Sequence, residues 1–310
     1  MYDIENNRLK GIAEVCHPCI IKQARSAAEF AKLEDHHAED IVRLAEDSIE
    51  ESKQRPIVVQ HIVRRVADEI ISKLEETNDF DIYYDIKKIS NDLALKYADE
   101  FREKVKLASS PVEAGLKLAA AGNIIDFGAK SHGSINIEEE LKKLEETKFD
   151  RYDIDAFKKS LQNAGQMLYL LDNSGEIVFD MMFIEELQKV YPDLNIIAAL
   201  REKPIINDAT LEDAKYIGLD KKVKCISSGS VYPGTILDET NKEFKKYYNS
   251  SDVILAKGQG NFETLLPEAE KRLFFLLRIK CDYMAELSGV EKNNLVLMQG
   301  STQLRTKETC

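Results

Sequence analysis

The chain has 310 residues, 44% of them hydrophobic and 32% charged, as expected of a folded globular protein with two domains or one large one. Its 55 acidic side chains against 43 basic ones give a formal charge of -12, which disfavours nonspecific nucleic-acid binding and attraction to anionic membranes. No run approaches the roughly 20 apolar residues of a membrane span, residues 1–10 carry no signal-peptide pattern, and five scattered cysteines do not make a disulfide framework; a cytoplasmic location is expected.

Residues 1 to about 150 read as helix. Alanine, leucine, lysine and glutamate dominate, and apolar residues recur three and four apart, as at Ile41, Leu44, Ala45 and Ile49. Pro18, Pro56 and Pro111 mark expected helix starts. A glycine-containing segment, 122–133, precedes a charged stretch, 138–151, that reads as a solvated helix before a domain boundary. Near the start, Cys16 and Cys19 form a Cys-x-x-Cys pair, open to three readings: buried thiols, a metal site with Cys281 or His17, or a redox pair.

From about residue 160 the pattern changes. Apolar runs at 167–171, 196–200, 223–226, 253–256 and 295–298 alternate with amphipathic segments at 177–190, 211–217, 236–248 and 265–287. That alternation predicts βαβ units and an α/β, Rossmann-like, mostly parallel sheet. The expected organisation is an all-helical domain over 1–152, open to division into two helical subdomains, and a Rossmann-like α/β metal-binding domain over 153–310.

In such a sheet the five strand ends share one edge, where α/β folds build their sites. The first ends in Asp172 and Asn173 with Glu176 following; the second reaches Arg201, then Asn207 and Asp208; the fourth ends in Lys257, Gly258, Gln259, Gly260 and Asn261. Asp172, Asn173 and Asp208 are oxygen donors of the kind hard divalent cations prefer, although Asp208 also reads as a helix N-cap. The Lys257 loop lacks Walker spacing, yet its glycines before a helix suit an anion, or else a plain tight turn. A cation site and an anion site on one edge are what phosphoryl transfer requires.

These motifs also resemble a known family. Asp172-Asn173-Ser174-Gly175-Glu176, the stretch from Arg201 to Thr210, and Lys257-Gly258-Gln259-Gly260-Asn261-Phe262-Glu263 resemble the metal-dependent damage-control phosphatases, first catalogued as domain of unknown function 89. Gly122-Asn123-Ile124-Ile125-Asp126, Cys16-His17-Pro18-Cys19 and Lys280-Cys281 are similar to its microbial branch. The resemblance implies a cleft between a helical part and a Rossmann-like domain, with a divalent ion (Mg, Mn, Co or Ni) at Asp172, Asn173 and Asp208. It also implies hydrolysis of small phosphate esters such as sugar phosphates.

The expected activity is therefore divalent-metal-dependent hydrolysis of a small phosphorylated metabolite, without nucleic-acid or membrane partners. Lys257 with Gly258 and Gly260 would hold phosphate, Asn123, Arg201, Asn207 and Asn261 would complete the substrate site, and Glu176 or Asp126 would orient water. Asp172 could instead attack phosphorus itself. Two alternatives remain at this level: an S-adenosylmethionine-dependent carboxyl methyltransferase, and a non-catalytic metal-binding module centred on the cysteines. Nothing in the sequence fixes the oligomeric state.

Overall fold

The computed structural model describes residues 12–55, 57–77, 79–122 and 146–301, together with the backbone of two short strands, β1 (Tyr2–Asp3) and β2 (Arg8–Leu9). Six helices follow: α1 (His17–Phe30), α2 (Asp35–Glu51), α3 (Val59–Lys73), α4 (Tyr84–Lys96), α5 (Ala98–Leu107) and α6 (Pro111–Ala121). Pro18 lies in the first turn of α1 and Pro111 opens α6, where a missing N–H costs nothing. Pro56, Asn123 and Asp126 lie outside the described residues, as does Cys310.

The remaining chain alternates: β3 (Phe149–Tyr152), α7 (Ile154–Gln162), β4 (Gln166–Leu170), α8 (Glu176–Val190), β5 (Asn195–Leu200), α9 (Leu211–Ile217), β6 (Lys224–Ser227), α10 (Lys242–Ser250), β7 (Val253–Lys257), α11 (Gly258–Leu265), β8 (Leu273–Arg278), α12 (Asp282–Ser288) and β9 (Leu295–Gln299). Seven strands form one sheet in the order β3-β9-β8-β7-β4-β5-β6, parallel at every pairing except β8 with β9. The α/β, mostly parallel reading of the sequence thus holds. β4 is an interior strand buried on both faces, which is why its sequence is continuously apolar rather than alternating.

Two sequence expectations change. The stretch 265–287 is not one amphipathic helix: it breaks after Pro267, where Ala269 takes a left-handed backbone (φ 49°), and Leu273–Arg278 becomes a buried strand. A five-residue apolar run fits either a strand or a core helix, and burial on both sheet faces selects the strand. β9 runs against β8, so Gly300 falls at the edge opposite the tips of β4, β5 and β7.

Even-numbered side chains of β4, such as Leu168 and Leu170, pack with Phe244, Phe262 and Leu265 on one face of the sheet. Met167 and Tyr169 pack on the other face with Phe179, Phe183 and residues of α4–α6 such as Phe101 and Leu116. α1–α3 build a separate core around Ile20, Ala28, Ile41, Ala45 and Ile62. The first sheet strand, β3, comes from 149–152, on the N-terminal side of the expected division at 152/153.

Candidate active site

The turn after β4 carries the densest chemistry. The β4 chain hands over to β5 through two hydrogen bonds, Leu171 N–H to the Ala199 carbonyl (3.0 Å) and Ala209 N–H to the Asp172 carbonyl (2.7 Å). An isolated antiparallel bridge then joins Asn173 to Asp208. Two loops distant in sequence are thereby locked side by side, and Asp172, Asn173 and Asp208 all face one cavity.

Helix α8 starts at Glu176, directly after Gly175, whose backbone is left-handed (φ 82°). Asn173 Nδ2 donates to Asp172 Oδ2 (2.9 Å) and Glu176 Oε1 (2.7 Å), turning its own carbonyl oxygen away from both carboxylates. Arg201 is buried; its Nε donates to Asp208 Oδ2 at 2.6 Å and its Nη1 to Thr235 and Asn261. Arg201 Nη2 is buried with no hydrogen-bond partner among the described residues, 3.8 Å from Asp172 Oδ1. Lys257, only 1% exposed, donates to Asp180 at 2.8 Å and lies 3.5 Å from Glu176.

Charge balance is the informative quantity. Asp172, Glu176, Asp180 and Asp208 are all buried, and among the described residues only Arg201 and Lys257 pair with them at close range. Fully ionised, four carboxylates against two cations leave two negative charges uncompensated. Burial, Asp208 and Glu176 together push the Asp172 carboxyl up to about 8. Burial likewise raises Asp208, although the Arg201 guanidinium opposes it. Lys257 is drawn down by burial, but Asp180 and Glu176 outweigh that and hold it above its ordinary value.

The donor set and the charge deficit suit a hard divalent cation: two carboxylates and one amide oxygen, with open volume beside them. Among the described residues, no three His, Cys, Asp or Glu side chains converge as a cage, so the amide of Asn173 is needed to complete such a set. The same fact bears on Cys16, Cys19 and Cys281, which all line the cavity without forming a three-thiol cluster.

The other expected residues fall in distinct places. Asn207 and Gly260 line the cavity. Asn261 is fully buried and ties the loop together, accepting from Arg201 and Thr235 and donating to the Lys257 carbonyl at 2.8 Å. Gly258 packs on Asp172: a Cβ there would lie 1.9 Å from Asp172 Oδ2, and its φ of 80° already excludes most side chains. Arg201, Lys257, Glu176 and Gly258 are not among the cavity-lining residues. Lys257 thus stands behind the acidic cluster rather than facing open space.

Sequence reasoning missed three contributors. Lys280 lines the cavity, is exposed, and lies near enough to Asp172 to draw its carboxyl down; its only signal was the Lys280-Cys281 pair. Asn91 of α4 accepts from Gly175 N–H at 2.7 Å and donates to Asp213 at 3.1 Å. Lys87, also buried, bridges Asp81 and Asp213, each at 2.8 Å. Nothing in sequence spacing marks Asn91 or Lys87, because their partners lie more than 80 residues away or across a loop.

Comparison with known proteins places the chain in a family. The family model described as Damage-control phosphatase ARMT1-like domain matches residues 12–296. An uncharacterised protein of Methanocaldococcus jannaschii is 37% identical over 296 residues, 92% of this chain and 94% of that one. A damage-control phosphatase of Pyrococcus horikoshii is 39% identical over 224 residues, 72% of this chain and 76% of that one. One of Archaeoglobus fulgidus is 28% identical over 292 residues, 92% and 98% of the two chains. The crystal structure of a DUF89 family protein from Pyrococcus horikoshii superposes with a TM-score of 0.82 at 32% identity, covering 94% of this chain and 99% of that one. With nearly its whole length matched in sequence and in fold, the chain belongs to the ARMT1-like damage-control phosphatase family.

Proposed function

We propose that this chain is a divalent-cation-dependent phosphomonoesterase acting on a small phosphorylated metabolite. One observation carries the reading: a buried acidic cluster at the tips of β4 and β5, two positive charges short of balance, opens on a cavity. Asp172, Asn173 and Asp208 would hold the cation, with Arg201 orienting Asp208 from behind. When bound, a divalent ion supplies Lewis-acid polarisation of a phosphoryl oxygen.

The chain's own groups divide the remaining work. Lys280, on the cavity wall, would meet the phosphoryl oxygens and offset charge that builds on them. Lys257 acts as a positioning residue, paired with Asp180 and fixing Glu176, which in turn accepts from Asn173. Asp172 lines the cavity, where its carboxylate could either hold the cation or approach phosphorus.

The test is phosphate release from an aryl phosphate with chelator and with added Mg²⁺, Mn²⁺, Co²⁺ or Ni²⁺. Turnover only with cation is the expected result; equal turnover in excess chelator rejects the cation-dependent reading.

A further inference from the structure

The cavity that receives Asp172 and Asp208 has a volume of about 610 Å³, within the range of pockets that enclose a whole small-molecule ligand. Phosphate and a cation need only its acidic end. Away from that end the wall is largely apolar: Ile20, Val59, Val63, Ile206, Met284 and Leu287 all face it. These residues come from α1, α3, the Asp208 loop and α12, so the apolar surface surrounds the space instead of forming one stripe.

Three polar groups on the same wall, Gln60, Gln259 and Glu263, are committed to one another. Glu263 accepts from Gln60 at 2.8 Å on one oxygen and from Gln259 at 2.9 Å on the other. Gln259 also reaches Cys281 Sγ at 3.8 Å. Its Oε1 is buried and, among the described residues, unpartnered, which leaves an acceptor for a single donor on a ligand. A sugar phosphate would bring several hydroxyls into this space and strip them of water, and groups left without partners there oppose binding.

We infer that the substrate is a phosphomonoester of a largely apolar alcohol, an alkyl, prenyl or aryl phosphate, whose organic group fills the space between α1, α3 and α12. The inference rests on the phosphomonoesterase reading and specifies the leaving group. The phosphate sits between the Asp172 turn and Lys280, and the chain of the alcohol runs along Val59 and Ile206 toward Met284 and Leu287. Hydrolysis breaks the bond between phosphorus and the ester oxygen; water supplies oxygen to phosphorus and a proton to the departing alcohol, so no further reactant is needed.

The experiment is a substrate series on the native chain at one fixed concentration of an activating cation: butyl, hexyl and octyl phosphate against ribose 5-phosphate and glycerol 3-phosphate. The expected result is a kcat/KM that rises roughly two- to fourfold per methylene until the cavity is full. Hexyl phosphate should then exceed both sugar-type esters by about tenfold or more. Val59→Asn should raise KM for octyl phosphate severalfold more than it raises KM for ribose 5-phosphate, and an equal rise for both would count against the inference.

A readout independent of turnover comes from Cys16 and Cys19, which line the same cavity. Octylphosphonate should slow their alkylation, read peptide by peptide, whereas inorganic phosphate should not. Phosphate release from every ester with a flat chain-length series, or with the sugar-type esters preferred, overturns this inference and leaves the phosphomonoesterase reading standing. No release from any ester with any of the four cations overturns both.

Discussion

Asp172 and Asp208 share a cluster but differ in what their removal exposes. Asp208 is the close partner of buried Arg201, so Asp208→Ala strands a guanidinium, and a loss of about 3–5 kcal/mol in urea unfolding is expected. Asp172 is instead crowded by Asp208 and Glu176. Asp172→Asn should therefore raise the Tm measured in chelator by a few degrees, about 1 kcal/mol, while abolishing cation-dependent phosphate release. A fall in that Tm would mean that Asp172 is held by attraction rather than strained by repulsion. The two lysines should separate in the same way. Lys280 is exposed and has no close ion pair among the described residues, so Lys280→Ala should leave stability within about 0.5 kcal/mol yet lower kcat by about a hundredfold. Lys257→Ala should destabilise by about 3–5 kcal/mol, because Asp180 and Glu176 lose their buried counter-charge. Cys16 gives a pH test away from the acidic cluster. Burial, then Glu263 and Cys281, push its thiol up to about 11. Only the thiolate is alkylated, so its labelling rate should climb about tenfold per pH unit from 7 toward 10; a plateau below pH 9 would contradict that environment.

At the scale of elements, α4 acts on the site through Asn91 and Lys87. Asn91→Ala removes the acceptor for Gly175 N–H and the donor to Asp213, so a loss of about 1–3 kcal/mol is expected. Cation affinity should fall with it, as Gly175 holds the turn between Asn173 and Glu176; calorimetric titration of the variant checks this. How far such elements were legible depended on range. β4, β5 and β7 announced themselves as apolar runs ending in polar loops, and the placement of Asp172 and Asp208 at neighbouring tips followed from a parallel sheet. β8 did not, because apolar spacing across 265–287 also fits a helix and the break at Pro267 is a single residue. The reversal of β9 left no trace, since a buried strand reads the same in either direction. Lys257 looked like a cavity lysine from its place after a strand, but the side chain folds back on Asp180, 77 residues earlier, a pairing that no local pattern encodes.

For the whole molecule, the acidic cluster predicts that stability follows cation concentration. A ligand at about 100 times its Kd adds about 2.7 kcal/mol to the native state. Melting curves in Mn²⁺ or Mg²⁺ should therefore shift upward for the native chain, and the shift should vanish in Asp208→Asn; an equal shift in both would place the cation elsewhere. The strand order carries another consequence, for synthesis. β9 lies between β3 and β8, and its register pairs Leu295 with Phe149 and with Arg278. Strand β3 emerges from the ribosome early, yet has no neighbour in the sheet until nearly 150 further residues have been made. Until then β3 and β8 each present an open edge, the feature that invites pairing with other chains. A nascent or prematurely terminated chain ending before Leu295 would thus expose the β8 edge and leave β3 unpaired, in addition to the β6 edge that the finished sheet keeps, so making β9 reduces the edges open to other chains.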